Sequence, residues 1–476
     1  MKNIFIKIFI AFMALFMTVS CSEEFLDEPT PTDTVSPEVV FGSRAGVEAF
    51  ISGIMRRFRG QYDSTDSAGL NSIFYARTLK GNDIIQSSTW FRDDYANSNR
   101  EPSYRRTRFT WNYCYYMINQ ANSLIAGVET SELSDADKKE FSAYGYALRG
   151  FFYHQLVLEF STAYSLDKNF PAPPIYTESV AEGKAMTTVD EVYKQIVSDL
   201  TLAVDGLTAD RLGKSYINKN VAQGILAQVY QVMGNWQGAA DAAKAAYGGN
   251  IATTLNLDYA KGFDDISNSE WIWGSAQSTD QSNYYWNAPA SMADHFTTSY
   301  SATFINRNFV DLFSATDIRR VFVKKSAAIT DLNDYRYWIT RKFTFTFAGD
   351  NAIMRTAEMI LIEAEAKARI PGKEAEAHTL LYYLQSQRDV NAVKSTNTGT
   401  ALIEEILLER RKELYAEIGV EWFDAKRLQR AITRTGNHRV GASASLLAND
   451  KKFYLKVPQP EIDANLLIDD SVNENR

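Results

Sequence analysis

The densest group of chemically capable side chains lies near the C-terminus: Glu409, Arg410, Arg411 and Glu413, then Glu421, Asp424 and Arg427. Two carboxylates can hydrolyse a glycosidic bond only where they flank an open cleft at about 5–10 Å. Here they are interleaved with Leu407, Leu408, Leu414, Tyr415, Trp422 and Phe423, as on amphipathic helices. That pattern predicts ion pairs that lock helix ends, not a catalytic dyad. The four histidines, His154, His295, His378 and His438, are far apart and none stands in a ligand-spaced motif. Zinc chemistry is therefore not predicted. There is no Gly-x-Ser-x-Gly elbow, P-loop or dinucleotide fingerprint. The reading at this level is no catalytic residue, no metal ligand and no cofactor.

Cys21 carries a different chemistry. Lys2 and Lys7 precede an almost unbroken apolar run from Ile8 to Val19, closed by small residues before the cysteine. This is a secretory leader, too short for a good membrane span. Cleavage between Ser20 and Cys21 leaves an N-terminal cysteine, the pattern of a bacterial lipoprotein whose Cys21 is acylated. Thr18 stands where the usual motif has Leu. Each buried methylene contributes about 0.8 kcal/mol, and two or more acyl chains anchor stably. The body then needs no apolar patch of its own. The acidic run Glu23, Glu24, Asp27 and Glu28 resembles the export signal of surface lipoproteins. Cys114 is the other cysteine, so no disulfide framework is available. With Ile118, Ala121 and Ile125 it falls on one helical face and reads as a core thiol.

Ligand-binding candidates are aromatics in irregular stretches. A sugar ring has an apolar C–H face and a polar rim. Flat rigid aromatics match the face at low entropic cost, and neighbouring polar groups bond the rim. Trp90 with Arg92, Asp93, Asp94 and Tyr95 offers that combination, as does Asn283, Tyr284, Tyr285, Trp286 and Asn287. Tyr335, Tyr337 and Trp338 are weaker, because Tyr-x-Tyr alternation also suits a half-buried strand.

The chain has 476 residues and a net charge of −8, which becomes more negative once Lys2 and Lys7 leave with the leader. Nucleic acid is excluded as a partner, since phosphate binding needs a basic footprint. No second apolar stretch is long enough to cross a membrane as a helix.

The elements that position these residues are mostly helices. Val221, Ile225, Leu226, Val229 and Met233 form one apolar face, broken by Gly234-Asn235. Trp236, Ala239, Ala240, Ala243 and Ala246 then start a small-residue face, giving an αα-hairpin like a tetratricopeptide repeat. Ile353 to Ala368 predicts a helix stopped by Pro371-Gly372, with His378 to Asp389 as its partner. Phe141 to Phe160 and Val189 to Leu207 are two more. No strict 34-residue period is present, so the helix pairs form a degenerate set. Residues 60–105 and 248–350 break the pattern. The second contains β-like runs at Trp271 to Trp273 and Lys342 to Phe345. Loops carry function more often than the scaffold beneath them. The organisation expected is a leader at 1–20, a lipidated tether at 21–37 and one domain at 38–476. Within it, a helical-repeat part runs to about 250, and a loop-rich and C-terminal part covers about 251–476.

Glu409-Arg-Arg-Lys-Glu-Leu-Tyr-Ala-Glu-Ile-Gly-Val-Glu-Trp-Phe-Asp-Ala-Lys-Arg427 closely resembles the C-terminal signature of the SusD/RagB family. Met354 to Ala366 resembles its preceding helix motif, and Val457-Pro-Gln-Pro-Glu-Ile-Asp-Ala-Asn465 its closing segment. Trp111 to Asn122, Leu148 to Tyr153 and Gly234-Asn-Trp236 also fit, in order. Phe160-Ser-Thr-Ala departs where a Gly often follows the aromatic. The tail Asp469 to Arg476 lacks the usual Asn-Pro-Gly-Tyr.

The resemblance implies a mainly α fold of tetratricopeptide-like helix pairs carrying an irregular ligand-binding face. It implies a non-catalytic, surface-exposed lipoprotein of the outer membrane that binds glycan and lids a TonB-dependent transporter of the SusC type. It also points to the loops around Trp90 and Tyr284 to Trp286. The alternative within the binding class is a peptide-importing relative. Two rivals come from other classes: a surface glycoside hydrolase with an open carboxylate pair, and a helical scaffold with a large apolar patch.

Overall fold

A computed structural model describes residues 36–59, 65–98, 100–253, 255, 258–261, 263–278, 295–297 and 302–476. The longer helices are α1 (Arg44–Arg57), α2 (Gly69–Leu79), α3 (Arg105–Glu129), α4 (Asp135–Phe160), α5 (Val189–Gly206) and α6 (Lys219–Met233). They continue with α7 (Trp236–Ala246), α8 (Thr356–Arg369), α9 (Glu374–Arg388), α10 (Gly399–Leu414) and α11 (Val420–Arg427). The fold is mainly α-helical, as expected.

Consecutive helices from α3 to α9 pack side by side, each against the next. Local chemistry fixes the corners. Ser134 caps α4 by accepting from the Asp137 N–H, and Thr188 and Glu191 form a reciprocal capping box on α5. Gly234 ends α6 with φ 73°, the left-handed cap that glycine adopts without strain. Asn235 then caps α7 by accepting from Gly238. The predicted hairpin is therefore present, and its Ala239, Ala240, Ala243 and Ala246 are all buried. Cys114 is fully buried on α3, and burial pushes its thiol up, away from the reactive thiolate.

The helix α7 packs directly on α8, although more than a hundred residues separate them. The intervening segment is thus an insertion looped out of the helical stack. It contributes most of a second, smaller layer. Strands β1 (Ile84–Gln86), β2 (Trp271–Ser275), β3 (Thr303–Ile305), β4 (Phe322–Lys324), β5 (Trp338–Thr340) and β6 (Asn351–Arg355) are short. One antiparallel sheet has the order β1-β3-β5-β4, with Ile84 opposite Ile305 and Ile305 opposite Trp338. A second pairs β2 with β6 at the base of the insertion, Trp271 opposite Arg355, and a two-residue ladder joins Pro171–Ala172 to Thr187–Thr188. A separate apolar cluster, including Tyr75, Phe91, Tyr95, Phe304, Phe309 and Phe322, fills the sheet layer.

Three expectations are corrected. Ile353 lies in β6, and the helix begins only at Thr356. The run Lys342 to Phe345 is not a strand; the strand lies just before it, at Trp338–Thr340. Residues 60–105 are not all irregular, because α2 runs through them and buries every side of itself except Asn71.

Candidate functional site

The region around Trp90 is built on α2, β1 and a tight turn. Phe91 is completely buried, edge-on to Tyr75 at 4.8 Å between centroids. It takes a left-handed backbone at φ 57°, which costs a non-glycine residue about 1–2 kcal/mol. Such strain persists only where the surroundings over-determine it. Here the buried Phe91 ring holds the turn and thereby fixes its neighbour Trp90 at the surface. Trp90 is half-buried. Its N–H donates to Ser88 Oγ at 2.9 Å, and its carbonyl accepts from Gln86 Nε2 at 3.3 Å. The Arg105 guanidinium stands 5.4 Å from the Trp90 ring centroid and is itself held by Asp66 at 2.6 Å.

The four predicted residues beside it part company. Arg92 is exposed and makes no hydrogen bond or ion pair among the described residues, and Asp93 stays at the surface, accepting from Ser98 Oγ at 3.1 Å. Asp94 and Tyr95 are corrected, since neither reaches solvent. Asp94 is 4 % exposed and pairs with Arg106 at 3.3 Å. Burial raises its pKa, against the pull of Arg106. Tyr95 is 0 % exposed, bonded through its hydroxyl to His438 Nδ1 at 3.0 Å, with Arg434 over its ring at 4.3 Å. Tyr95 on the short helix Arg92–Ala96 turns into the apolar cluster of the sheet layer, and Asp94 turns toward Arg106 on α3.

Cys21 and the predicted group Asn283, Tyr284, Tyr285 and Trp286 lie outside the described residues. The chain re-enters at His295, which is buried against Gln86 (3.3 Å) and Tyr75 (3.2 Å). Gln86 is the residue that holds the Trp90 carbonyl. Gln86 on β1 thus contacts both the Trp90 carbonyl and His295. Trp338 and Tyr335 pack on the same cluster, half-buried, with Tyr337 edge-on to Trp338 at 4.8 Å. Flat faces flanked by Arg92, Asp93 and Arg105 can stack on an apolar ring face and bond hydroxyls around it.

The acids weighed as a hydrolase pair do not line a cleft. Glu409 meets Arg319 at 2.5 Å, and Glu413 is fully buried among Arg319, Arg355 and Arg388 at 3.0 Å each. Asp424 pairs with Arg410 and Arg427. The predicted ion pairing is present, but its partners Arg319, Arg355, Arg388, Glu270 and Glu417 were not singled out from the sequence. Their only signal was a lone charge in an apolar setting, such as Glu270 before Trp271-Ile-Trp273.

One buried carboxyl has an exploitable pH response. Glu358 on α8 accepts from Gln228 Nε2 at 2.9 Å, beside a small pocket of about 30 Å³ that His154 and Gln155 also line. Burial pushes its pKa from 4.5 up to about 7, although Arg410 pulls the other way. The stability due to the neutral form is fully present below about 4.5 and is lost as pH rises through about 7. Glu358→Gln should therefore be more stable than wild type at pH 8, by up to about 3 kcal/mol, with little difference at pH 4.5. Urea midpoints at both pH values check this; a gap that does not grow with pH refutes it.

The scaffold is a stack of helix pairs that carries a half-buried aromatic face on an inserted sheet layer. Residues 24–231 match the family described as "Starch-binding associating with outer membrane", and residues 230–466 match the SusD family. The chain belongs to the SusD family. The SusD-like protein P2 of Formosa agariphila is 23 % identical, over 96 % of this chain and 97 % of its own. A SusD-like carbohydrate binding protein from Bacteroides vulgatus superposes with a TM-score of 0.81 at 27 % identity, covering 90 % of this chain and 98 % of that one. Surface glycan-binding protein A from Bacteroides thetaiotaomicron, solved with laminarihexaose, superposes at 0.70 with 15 % identity, covering 89 % and 98 %.

Proposed function

We propose that this chain is a non-catalytic surface lipoprotein, anchored through acylated Cys21, that captures oligosaccharide and delivers it to a TonB-dependent transporter of the SusC type. The observation that carries the reading is Trp90. It is a half-exposed ring on a strained, over-determined turn, with Arg92, Asp93 and Arg105 around it. Burying a flat ring face removes apolar area at about 25 cal/mol per Å², and a ring already fixed by its turn loses little entropy on binding. Asn283, Tyr284, Tyr285 and Trp286, outside the described residues, are proposed as further ligand-binding residues because they combine flat aromatic faces with a carboxamide. The leader and Cys21 support the anchor. Among the described residues no helix is long and apolar enough to cross a membrane.

The test is a glycan panel by affinity electrophoresis followed by calorimetry, with laminarihexaose included. Trp90→Ala should weaken binding about 10- to 100-fold, corresponding to about 1.5–3 kcal/mol. Trp286→Ala should act in the same direction. Retention of full affinity in Trp90→Ala removes this face from the mechanism. Saturable peptide binding with no glycan binding overturns the glycan reading.

A further inference from the structure

A second groove lies on the helical stack. It runs between α3, the strap at 174–180 and the short helix Gln459–Ala464, and holds about 380 Å³. That is within the range of small-ligand clefts. Its floor is fixed and its hydrogen bonds are already made. Trp111 Nε1 donates to Glu461 Oε2 at 3.1 Å, and Asn465 Nδ2 donates to the other Glu461 oxygen at 2.9 Å. The Tyr115 hydroxyl donates to the Pro174 carbonyl at 2.8 Å, and Asn122 Nδ2 to the Tyr176 carbonyl at 3.1 Å.

The rim is the opposite. Asn112 and Glu178 are exposed and make no hydrogen bond among the described residues, and Asn119 uses only its Oδ1, toward Ser179. Tyr116 is 40 % exposed, with the Arg57 guanidinium 5.5 Å from its ring centroid. The lining itself holds no lysine or arginine; the nearest cations, Arg57 and Lys184, stand over the Tyr116 and Tyr176 rings at 5.5 and 5.3 Å. Aromatic walls, free carboxamides and one free carboxylate suit a neutral ligand with an apolar face and several hydroxyls.

We propose that this groove is a second carbohydrate-binding site. The inference rests on the reading of the protein as a glycan binder, and none of the groove's lining residues belongs to the Trp90 face. The two sites share α3 as a ruler. Arg105, beneath Trp90, opens the helix, and Tyr116 follows eleven residues on, about 16 Å along the axis at ~1.5 Å per residue. Arg105, Asn112, Tyr116 and Asn119 recur at spacings of 7, 4 and 3, which keeps them on one helix face. A chain of several sugar units can touch both sites, whereas a disaccharide fills one.

The experiment is calorimetry on the full chain in detergent, with a hexasaccharide and the disaccharide of the glycan that the panel selects. Tyr116→Ala should weaken the hexasaccharide about tenfold, Glu178→Gln should weaken it less, and Tyr116→Phe should leave it within about twofold. Both positions are exposed, and unchanged circular dichroism and melting confirm that the variants fold. Trp90→Ala should retain a weak component that Trp90→Ala/Tyr116→Ala loses. Hexasaccharide binding abolished by Trp90→Ala but untouched by Tyr116→Ala overturns the second site alone. No glycan binding by the wild type overturns the glycan reading and this site together.

Discussion

Glu413→Ala should destabilise the protein by about 3–5 kcal/mol, the range for removing one partner of a buried ion pair. Glu413 is the hub of a buried network that joins distant parts of the chain. Arg355 closes β6, Arg388 ends α9, and Arg319 comes from the insertion; all three reach its carboxylate. Glu270, just before β2, bonds Arg355 and Arg388. Glu417 bonds Arg355 at 2.7 Å and Lys342 at 2.6 Å, while Asp317 bonds Arg319 at 2.9 Å and Lys412 at 3.0 Å. With Glu409, the acids match the cations one for one, so the network is neutral and every charge has a partner. Without Glu413, three guanidiniums are left short of one anion in a water-excluded space.

The pH dependence gives the same experiment a second readout. Burial alone would raise the Glu413 pKa, but Arg388, Arg355 and Arg319 together hold it well below 4.5. Stability from this group is present above the ordinary glutamate value and is lost as pH falls below it. The gap between wild type and Glu413→Ala in urea midpoint should therefore be full at pH 7 and shrink on acidification below about 4.5. A midpoint at pH 7 equivalent to wild type would show that the network contributes nothing net. Fluorescence of Trp271 and Trp273, which sit in β2 beside Glu270, gives the local signal.

What the sequence revealed and what it concealed follow from the range of the forces involved. The α6–α7 hairpin was legible because both its apolar period and its Gly-Asn corner are local. The buried face of Cys114 on α3 was legible for the same reason. Ile353 misled because its spacing to Ala357 fits a helix, while the strand that holds it pairs on either side, through Ala352 and Met354, with β2 some eighty residues away. The helix α2 hid in a stretch rich in Gly and Ser because a helix buried nearly all round shows no amphipathic period. At the candidate site, the sequence put Trp90, Arg92, Asp94 and Tyr95 forward together and could not separate the exposed or half-buried pair from the buried pair. One turn of helix decides which of those neighbours faces the sheet layer. The signature Glu409 to Arg427 announced paired charges without naming partners, because Arg319, Arg355 and Arg388 come from three other segments.

Gly419→Ala should be comparably damaging for a reason that involves no charge. Gly419 starts α11 at φ 73°, the left-handed region that costs an alanine about 1–2 kcal/mol. An added Cβ there would stand 2.2 Å from Arg77 Cβ and 3.0 Å from the Arg77 and Thr78 backbone on α2. Relief requires a shift of backbone, and such overpacking costs about 1–3 kcal/mol more. The contact is also linked to the proposed Trp90 face. Arg77 is tied to Glu159 at 2.5 Å, and α2 leads within a few residues into β1, whose Gln86 holds the Trp90 carbonyl. Gly419→Ala should thus lower the unfolding free energy from urea titration by about 2–5 kcal/mol and, where the variant is still folded, weaken glycan binding at the proposed Trp90 face without altering any contact residue. Gly213→Ala, with nothing within 4 Å of its new Cβ, is the control and should change neither. Equal stability in the two variants would refute the role of the Gly419 contact, and lost stability with unchanged glycan affinity would show that α2 does not set the position of Trp90.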